Sequence, residues 1–296
     1  MKSKLVLVSC TNVGRHIINL FLKKKKFKGV ELSGVINLDK DESLKKSNYD
    51  SYYDLKLKHG INVNYVKNIN SKSVYNWIRK IKPSLIIQSG WSQKFSKKIL
   101  ELPKFGCIGQ HPAPLPVGRG AACVNWAIIL GYKNWGDTFF IMDDKYDNGE
   151  IVGQEKFTIN KNDDVKNVYD KICITSKKIF SKNISNWAKG DFKKKKQNLK
   201  KIVYFKKRSP SDGEIDLLKE NNIIAHNKIR ALTKPYPGAY INYKNNKIFI
   251  WRSKLLSNLS FTNHKNSKRL FLHKKKLILK IGKKKKTYLQ IKKMQI

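Results

Sequence analysis

Residues Lys4 to Arg15 read KLVLVSCTNVGR, which is a short β-branched run, a polar turn and the start of a segment with helical spacing. Similar apolar runs follow at Val30–Leu38, Ile61–Val66 and Ser84–Gly90, separated by about 10 to 25 residues that carry helical periodicity. Strands that alternate with helices predict right-handed βαβ crossovers and a mostly parallel, Rossmann-like α/β sheet with helices on both faces. The turn CTNVGR has one glycine and lacks GxGxxG, so it does not predict a dinucleotide site.

Later elements are predicted as a helix at 121–131, a strand at 137–142, a helix between 164 and 188, a helix at 222–232, and short strands from 239 onward. The stretch GDFKKKKQNLKK lacks an apolar face and is typical of a linker. We therefore predict a first domain over residues 1–188, a linker over 189–207, and a small β-rich, barrel-like domain over 208–296.

Positive charge is the most conspicuous property, because 63 Lys and Arg stand against 21 Asp and Glu for a formal net charge of +42. Such a chain could bind nucleic acid or another polyanion. Only seven of the 63 are arginine, and the lysines lie in runs at 23–26, 193–196, 274–276 and 283–286. Phosphate-reading surfaces usually recruit the planar fork of arginine, so we favour a solvated lysine-rich surface and keep non-specific polyanion binding as the alternative.

The cysteine, histidine and apolar patterns predict a cytoplasmic chain without disulfides, metal or membrane span. The four cysteines are Cys10, Cys107, Cys123 and Cys173, without CxxC spacing. Five histidines show no metal-ligand spacing: His16, His59, His226, His264 and His273. No apolar run reaches eighteen residues, and the N-terminal run is shorter than that of a typical signal peptide.

The stretch GCIGQHPAPLPVGRG, residues 106–120, joins a short strand to a histidine among prolines. Doubly wound folds bind ligands beyond the carboxyl ends of their strands, and Pro112 and Pro116 stiffen this loop. A second strand, TFFIMDD, runs towards a turn with Asp147. A carboxylate beside an imidazole orients the ring and favours its charged form. His111 and Asp147 are thus predicted to be a general base and its partner, although His111 could only satisfy loop backbone groups and Asp147 could only cap a turn.

Separated motifs in this order resemble the folate-dependent formyltransferase family. They are His111-Pro-Ala-Pro-Leu-Pro-x-x-Arg119-Gly120, Asn125-Trp126-Ala127, Asp147-x-Gly149-x-Ile151, Arg208-Ser-Pro-x-Asp212-Gly213-x-Ile215-Asp216, and Ile229-Arg230-Ala231 before Pro235-Tyr-Pro-Gly-Ala239. The resemblance implies a Rossmann-like catalytic domain, a small C-terminal β-barrel, 10-formyltetrahydrofolate as donor and a primary amine as acceptor.

The same resemblance implies which residues contact the folate. They are expected to be Gly90, Trp91, Ala113, Pro114, Leu115, Pro116, Gly136 and Asp137. The loop departs from the family pattern, since Ala113 stands where the family has Ser and Pro114 where it has Leu. Trp91 could equally be a packing residue, and Arg119 could either act in the site or brace the loop.

One departure concerns the family's catalytic trio, which is Asn-x-His plus a distant Asp. His111 and Asp147 match, but Gly109 stands in place of the Asn, whose amide donates to the developing oxyanion. Losing one such donor costs roughly 2.7–4 kcal/mol. Gln110 is our candidate replacement, although strand alternation would turn it away unless the glycine breaks that alternation. A backbone N–H or protonated His111 are the alternatives, and the formyl-folate hydrolases of the family also lack this Asn.

The acceptor divides the family between an amino sugar carried on a nucleotide and initiator methionyl-tRNA. The transfer-RNA enzymes usually carry a basic, glycine-containing insertion after the second strand. Here NLDKDESLKKSNYDSYYDL, residues 37–55, has five acidic residues and no glycine, which favours a small amine. Methionyl-tRNA, hydrolysis by water, and a non-enzymatic RNA-binding role stay open as alternatives.

Overall fold

The computed structural model describes residues 2–23, 27, 29–44, 46–243, 246–256, 269–283 and 286–295. His264 and parts of the lysine runs at 23–26 and 283–286 lie outside this set. By their contacts the residues form two compact units: 1–120, 135–157 and 169–205 in the first, and 121–134, 158–168 and 206–296 in the second. This division does not follow the domain bounds predicted from sequence, and those bounds stay a prediction.

The strands are β1 (Ser3–Val8), β2 (Val30–Leu38), β3 (Val63–Val66), β4 (Leu85–Ser89), β5 (Cys107–His111), β6 (Val117–Gly120), β7 (Asn134–Ile141), β8 (Ile151–Thr158), β9 (Val203–Phe205), β10 (Ala239–Tyr243), β11 (Asn246–Leu255), β12 (Leu270–His273), β13 (Lys276–Ile281) and β14 (Thr287–Gln295). The α-helices are α1 (Asn12–Leu22), α2 (Lys40–Ser43), α3 (Tyr53–His59), α4 (Lys72–Ile81), α5 (Lys97–Leu100), α6 (Cys123–Ile129), α7 (Val165–Trp187) and α8 (Asn222–Leu232). Short 3-10 helices lie at Leu199–Lys201 and Pro210–Gly213.

The first unit contains a seven-stranded sheet in the order β3-β2-β1-β4-β5-β7-β8. The pairs from β3 to β5 are parallel, whereas β5 and β7 are antiparallel. Along β1, Leu5 and Leu7 belong to one apolar cluster with residues of α1 and α7, while Val6 and Val8 belong to another with residues of α4. Because alternate side chains of a strand point to opposite faces, helices cover both faces, which confirms the predicted fold class.

The second unit contains a five-stranded sheet in the order β10-β11-β14-β13-β12, with all four pairs antiparallel. This confirms the predicted β-rich C-terminal part. The family-like Asn125-Trp126 pair lies on α6, where Asn125 donates to the carbonyl of Ala231 at 2.8 Å and Trp126 to that of Lys206 at 2.9 Å. This motif therefore serves packing within the second unit.

The sequence analysis missed four strands: β6, β8, β9 and β12. β6 and β9 have only four and three residues, and they exist because they pair with each other across a large sequence distance. No helix in the described part of the chain is long and apolar enough to cross a membrane. The four cysteines are buried and form no disulfide within the described residues, which also contain no group of three or more potential metal ligands.

Candidate active site at the end of β5

His111 is the last residue of β5 and lies opposite Thr138 of β7. Its side chain is 11% exposed, so it is largely shielded yet reachable. Its Nε2 lies 2.7 Å from the carbonyl oxygen of Gly118. A carbonyl can only accept, so Nε2 carries the proton in the neutral ring and Nδ1 is the basic nitrogen.

Two glycines of β6 present backbone groups to this site. Gly118 has φ +87°, and a Cβ there would lie 2.8 Å from Trp135 and 2.9 Å from Ala113. Gly120 has φ +94°, and its Cβ would lie 2.3 Å from the carbonyl oxygen of Phe205. Only glycine adopts such φ values without strain and allows this close approach. Both glycines of the VGRG motif are therefore explained by the geometry of the site.

Asp147 lies in the turn between β7 and β8, with φ +52°. Its Oδ1 is 3.6 Å from Nδ1 of His111, and its Oδ2 accepts the backbone N–H of Gly120 at 2.9 Å. When Nδ1 takes a proton, the resulting imidazolium faces a carboxylate, which stabilises the charged ring. The predicted pairing of these two side chains is present in the structure; its catalytic role stays a prediction.

Arg119 braces the turn that carries Asp147. Its guanidinium is fully buried and donates to Oε1 of Gln197 at 2.7 and 3.1 Å, to Asn148 at 3.1 Å and to the hydroxyl of Tyr204 at 3.1 Å. Gln197 in turn donates to the carbonyl oxygens of Asp147 and Gly149 at 2.9 and 2.8 Å. Of the two roles left open for Arg119, these contacts support the bracing one.

Gly109 leaves no room for a side chain beside His111. A Cβ there would lie 2.8 Å from the tip of the Phe140 ring and 3.1 Å from Cγ of Met142. Gly109 and His111 are two residues apart in β5, so they share a face of the sheet. The aromatic ring of Phe140 therefore occupies the place where the family-like amide was expected.

Gln110 points away from His111, as strand alternation requires. Its Oε1 accepts from Ser89 at 3.0 Å, while its Nε2 donates to the carboxylate of Asp137. Because this amide nitrogen is already engaged on the opposite face, the geometry does not support its predicted role as oxyanion donor. Asp137 is fully buried, so its carboxylate is equally closed to direct contact with a ligand.

The remaining residues predicted to contact folate lie near the ends of β4 and β5. Thr138 holds the loop, since its hydroxyl donates to the carbonyl of Ala113 at 2.6 Å and accepts the N–H of Leu115 at 3.2 Å. Gly136 packs against Pro114, and Gly90 has φ +66° and packs against Thr11. Trp91 follows β4, and its buried Nε1 has no hydrogen-bond partner within the described residues.

The carboxyl end of β1 is filled by the chain itself. The hydroxyl of Tyr52, which is fully buried, contacts the backbone of Thr11 and the hydroxyl of Ser9, 2.9 Å away. Arg15 in the first turn of α1 is paired with Asp50 and with both oxygens of Asp54 at 2.8 Å. The crevice at this strand end is closed, which fits the absence of a dinucleotide motif.

Sequence reasoning missed Gln197, Ser176 and Phe140 as residues of this region. Gln197 is the first uncharged residue after the run Lys193–Lys196, and it is buried among exposed lysines. A buried amide at the end of a charged run is a usable signal. Ser176 and Phe140 lie within ordinary apolar stretches of a helix and a strand, and only the packing shows their positions.

Two family models match the chain: "Formyl transferase" at residues 8–184 and "Formyl transferase, C-terminal domain" at residues 207–296. The chain belongs to the formyl transferase family. The resemblance inferred from the sequence motifs is thereby confirmed.

Individual relatives differ in name and in length. The bifunctional polymyxin resistance protein ArnA of Wigglesworthia glossinidia brevipalpis is 36% identical over 237 residues, covering 80% of this chain but 36% of that protein. Methionyl-tRNA formyltransferase of Clostridium beijerinckii is 32% identical over 217 residues, covering 73% and 70%. The N-formyltransferase of Helicobacter canadensis, solved with folinic acid and dTDP-3-aminofucose, superposes with TM-score 0.69 at 18% identity over 98% and 99% of the two chains. This likeness shows a shared fold.

Proposed function

We propose that this formyl transferase moves the formyl group of 10-formyltetrahydrofolate to a primary amine on a nucleotide-linked amino sugar or a similar small acceptor. The observation that carries the proposal is the His111–Asp147 pair, in which Nδ1 is the basic nitrogen and faces a carboxylate. A general base in this setting can take a proton from an amine as the amine attacks a carbonyl carbon.

The reaction forms a bond between the amine nitrogen and the formyl carbon and breaks the bond from that carbon to N10 of the folate. Nδ1 of His111 takes the proton that the amine loses, and returns it to N10 as tetrahydrofolate leaves. Asp147 stabilises the imidazolium between these steps. With Phe140 beside Gly109, the oxyanion is left to His111 and backbone N–H groups, which is an incomplete set of donors.

The residues near β4 and β5 fit a folate ligand. The loop at 113–116 is held in one shape, since Gln154 donates to the carbonyl of Leu115 and to the hydroxyl of Thr138, each at 2.9 Å. The buried Nε1 of Trp91, which has no hydrogen-bond partner among the described residues, lies directly after β4 in this region. Asp137 would support this region from behind rather than touch the folate, because it is fully buried.

The segment after β2 supports a small acceptor. In the described part of this segment, Asp50 and Asp54 are bound by Arg15, and Tyr65 and Asn37 donate to the carbonyls of Ser51 and Asp50 at 2.8 and 2.9 Å. A segment docked in this way differs from the basic, glycine-containing insertion that the family resemblance associates with transfer-RNA substrates. A nucleotide-linked sugar is also what the solved Helicobacter protein holds.

Methionyl-tRNA is the second candidate acceptor. It is favoured by the methionyl-tRNA formyltransferase relatives and by the net charge of +42. Scattered lysines bind RNA by releasing counterions, without forming a specific site. We infer a cytoplasmic enzyme that binds polyanions non-specifically. A preference for one transfer RNA that survives about 0.3 M salt would instead select methionyl-tRNA as the acceptor.

The test is tetrahydrofolate release from 10-formyltetrahydrofolate in three parallel reactions, with nucleotide-linked 3- and 4-amino sugars, with methionyl-tRNA, and with water alone. Each is run with the wild type and with His111→Ala. Release that needs an amino sugar and depends on His111 supports the proposal. Release with methionyl-tRNA alone selects the second candidate, and equal release in water identifies a hydrolase.

A further inference from the structure

A buried polar cluster lies behind the active-site strand, on the face opposite His111. The Asp137 cluster consists of Ser89 on β4, Gln110 on β5, Asp137 on β7 and Ser176 on α7. Ser89 donates to Gln110, and both Gln110 and Ser176 donate to the two carboxylate oxygens of Asp137. Three neighbouring strands and one helix are thereby joined by side-chain hydrogen bonds.

Burying the carboxyl of the Asp137 cluster costs free energy, and the packing of the core does not explain why an ionisable group stands there. Asp137 is fully buried, and burial raises the pKa of its carboxyl to about 7 despite the opposing hydrogen bonds from Ser176 and Gln110. Its surroundings are otherwise apolar, since Ile108, Phe139 and Ile179 belong to the main core cluster. Replacing buried ionisable groups by apolar residues of similar volume is often neutral or stabilising. A buried ionisable group near an active site is therefore a candidate for a functional role.

The position of the cluster connects it to His111. Gln110 is the neighbour of His111 in β5, and Thr138, which lies opposite His111, follows Asp137 in β7. The backbone N–H of Thr138 and the charge of His111 both lower the pKa of the Asp137 carboxyl, against the larger effect of burial. The carboxylate thus lies behind the strand end that presents the imidazole.

We propose that Asp137 is a positioning residue for His111. The buried negative charge of Asp137, which is held by Gln110 and Ser176, stabilises the imidazolium that forms on His111 during the reaction. The inference rests on the proposed function, in which His111 takes the amine proton. Asp147 faces the same ring at 3.6 Å, whereas Asp137 acts on it from the opposite face of the sheet. Above pH 7 Asp137 is charged and supports the proton transfer, whereas below it the support is lost.

Other titratable groups around the cluster are few. The turn before β8 contributes Asp147, and α7 contributes Cys173, whose own thiol pKa is raised to about 12 by burial and by the charges of Asp170 and Asp137. Lys178 of α7 and Glu155 of β8 pair with each other at 3.0 Å on the surface. β4 contributes the uncharged Ser89. His111 is the partner among them whose charged form favours an ionised Asp137.

The test is an NMR titration of His111 in the full-length protein, with its signal assigned through His111→Gln. We expect Asp137→Asn to lower the pKa of His111 by about half a unit to one unit, because it removes a buried negative charge. Ser89→Ala, which weakens the cluster without touching the carboxylate, is the matched control and is expected to leave that pKa within about 0.2 units of the wild-type value. An unchanged His111 pKa in Asp137→Asn would overturn the proposal and leave the cluster a purely structural device.

Ser176→Ala serves if Asp137→Asn does not fold. It removes one donor to the carboxylate, which makes the charged form less favourable at pH 7, so the His111 pKa is again expected to fall. Because the titration needs no turnover, it separates the two proposals. A shifted His111 pKa in a protein that formylates none of the acceptors would sink the proposed function and keep the role of Asp137.

Discussion

The carboxyl ends of β1 and β5 lie on the same edge of one sheet, but the first is covered by the chain and the second is partly exposed. At β1 the chain closes the crevice with Tyr52 and with the pairing of Arg15 to Asp50 and Asp54. At β5 the chain leaves His111 and Asp147 partly exposed, at 11% and 15%. Doubly wound folds place ligands along this edge in general, so the comparison shows that the chain's own side chains decide which strand end stays accessible.

The carboxylates at the two strand ends also differ in their ion pairing and in the direction of their pKa shifts. The carboxylates at β1 are paired with a guanidinium, and the hydrogen bond from Arg15 lowers the pKa of Asp54. The carboxylate behind β5 has no cation partner within 4 Å among the described residues, and burial raises its pKa to about 7. A satisfied ion pair stabilises a fixed structure, whereas a buried carboxylate with a raised pKa is a candidate for a functional role.

The largest expected difference between the two ends is in catalysis. His111→Ala is expected to lower kcat/KM for formyl transfer by about 10²- to 10⁴-fold, the usual contribution of a general base. His59→Ala, at an exposed histidine that ends α3, is the matched control and is expected to have no effect. If His111→Ala retained more than about a third of the activity, its role as base would be wrong.

Arg119→Met is expected to loosen the turn that carries Asp147. It removes the donors to Gln197, Asn148 and Tyr204 and leaves the buried Oε1 of Gln197 unsatisfied, so we expect a loss of about 3 kcal/mol in the free energy of unfolding. Since Gln197 also binds the backbone of Asp147, kcat is expected to fall as well. Arg79→Met, at an exposed arginine of α4, is the control in both denaturant unfolding and activity assays. Full activity in Arg119→Met would show that Asp147 needs no brace.

The pH dependence of stability is expected to have opposite signs at the two ends. The pKa of Asp137 is higher in the folded chain than its ordinary value of 3.8. The contribution of Asp137 to the free energy of unfolding is therefore present below pH 3.8 and is lost as the pH rises towards 7, at about 1.4 kcal/mol per pH unit. The pKa of Asp54 is lowered, so its contribution is present above its ordinary pKa and lost as the pH falls.

Thermal unfolding from pH 4 to 8 tests this contrast. The Tm of Asp137→Asn minus that of the wild type is expected to increase as the pH rises. The corresponding difference for Asp54→Asn is expected to increase as the pH falls. Parallel curves for the wild type and Asp137→Asn would mean that this carboxyl titrates alike in the folded and unfolded chains.

Gly109→Asn is expected to lower activity modestly, by about tenfold, because the new side chain meets the Phe140 ring and overpacking costs about 1–3 kcal/mol. Adding Phe140→Leu makes room and is expected to recover or exceed the wild-type rate. Gly60→Asn is the control, since a Cβ there meets nothing within 4 Å and asparagine is among the residues that best tolerate its φ of +61°. A single Gly109→Asn variant that is faster than the wild type would show that Phe140 moves aside and that the amide acts as a donor.

The smallest effect on activity is expected at the closed end. Tyr52→Phe removes the hydroxyl bound to Ser9 and Thr11 and is expected to cost about 1–3 kcal/mol of stability, with kcat unchanged. Tyr53→Phe, at a side chain that is 58% exposed, is the control for stability measurements. A large loss of kcat in Tyr52→Phe would mean that the β1 end takes part in the reaction.

The fold and the proximity of His111 to Asp147 could be predicted because their signals are local. The strand at Val30–Leu38 and the helix at Asn222–Leu232 have the same bounds in the structure as in the sequence prediction. Each carries one periodic apolar pattern, and the element begins and ends where that pattern begins and ends. The His111 loop could be found from one stretch of sequence, because proline and glycine restrict the backbone residue by residue.

The sequence by itself determined the α/β order of elements, the β-rich C-terminal part and the residues able to take and stabilise a proton, since each depends on neighbours along the chain. The tertiary structure alone decided the pairing of β6 with β9, the bracing of Asp147 by Arg119 and Gln197, and the ring of Phe140 beside Gly109. These contacts join residues from about 30 to 85 positions apart, and only folding sets such distances. The same holds for Gln110, whose hydrogen bonds to Ser89 and Asp137 on the far side of the sheet are seen only in the tertiary structure.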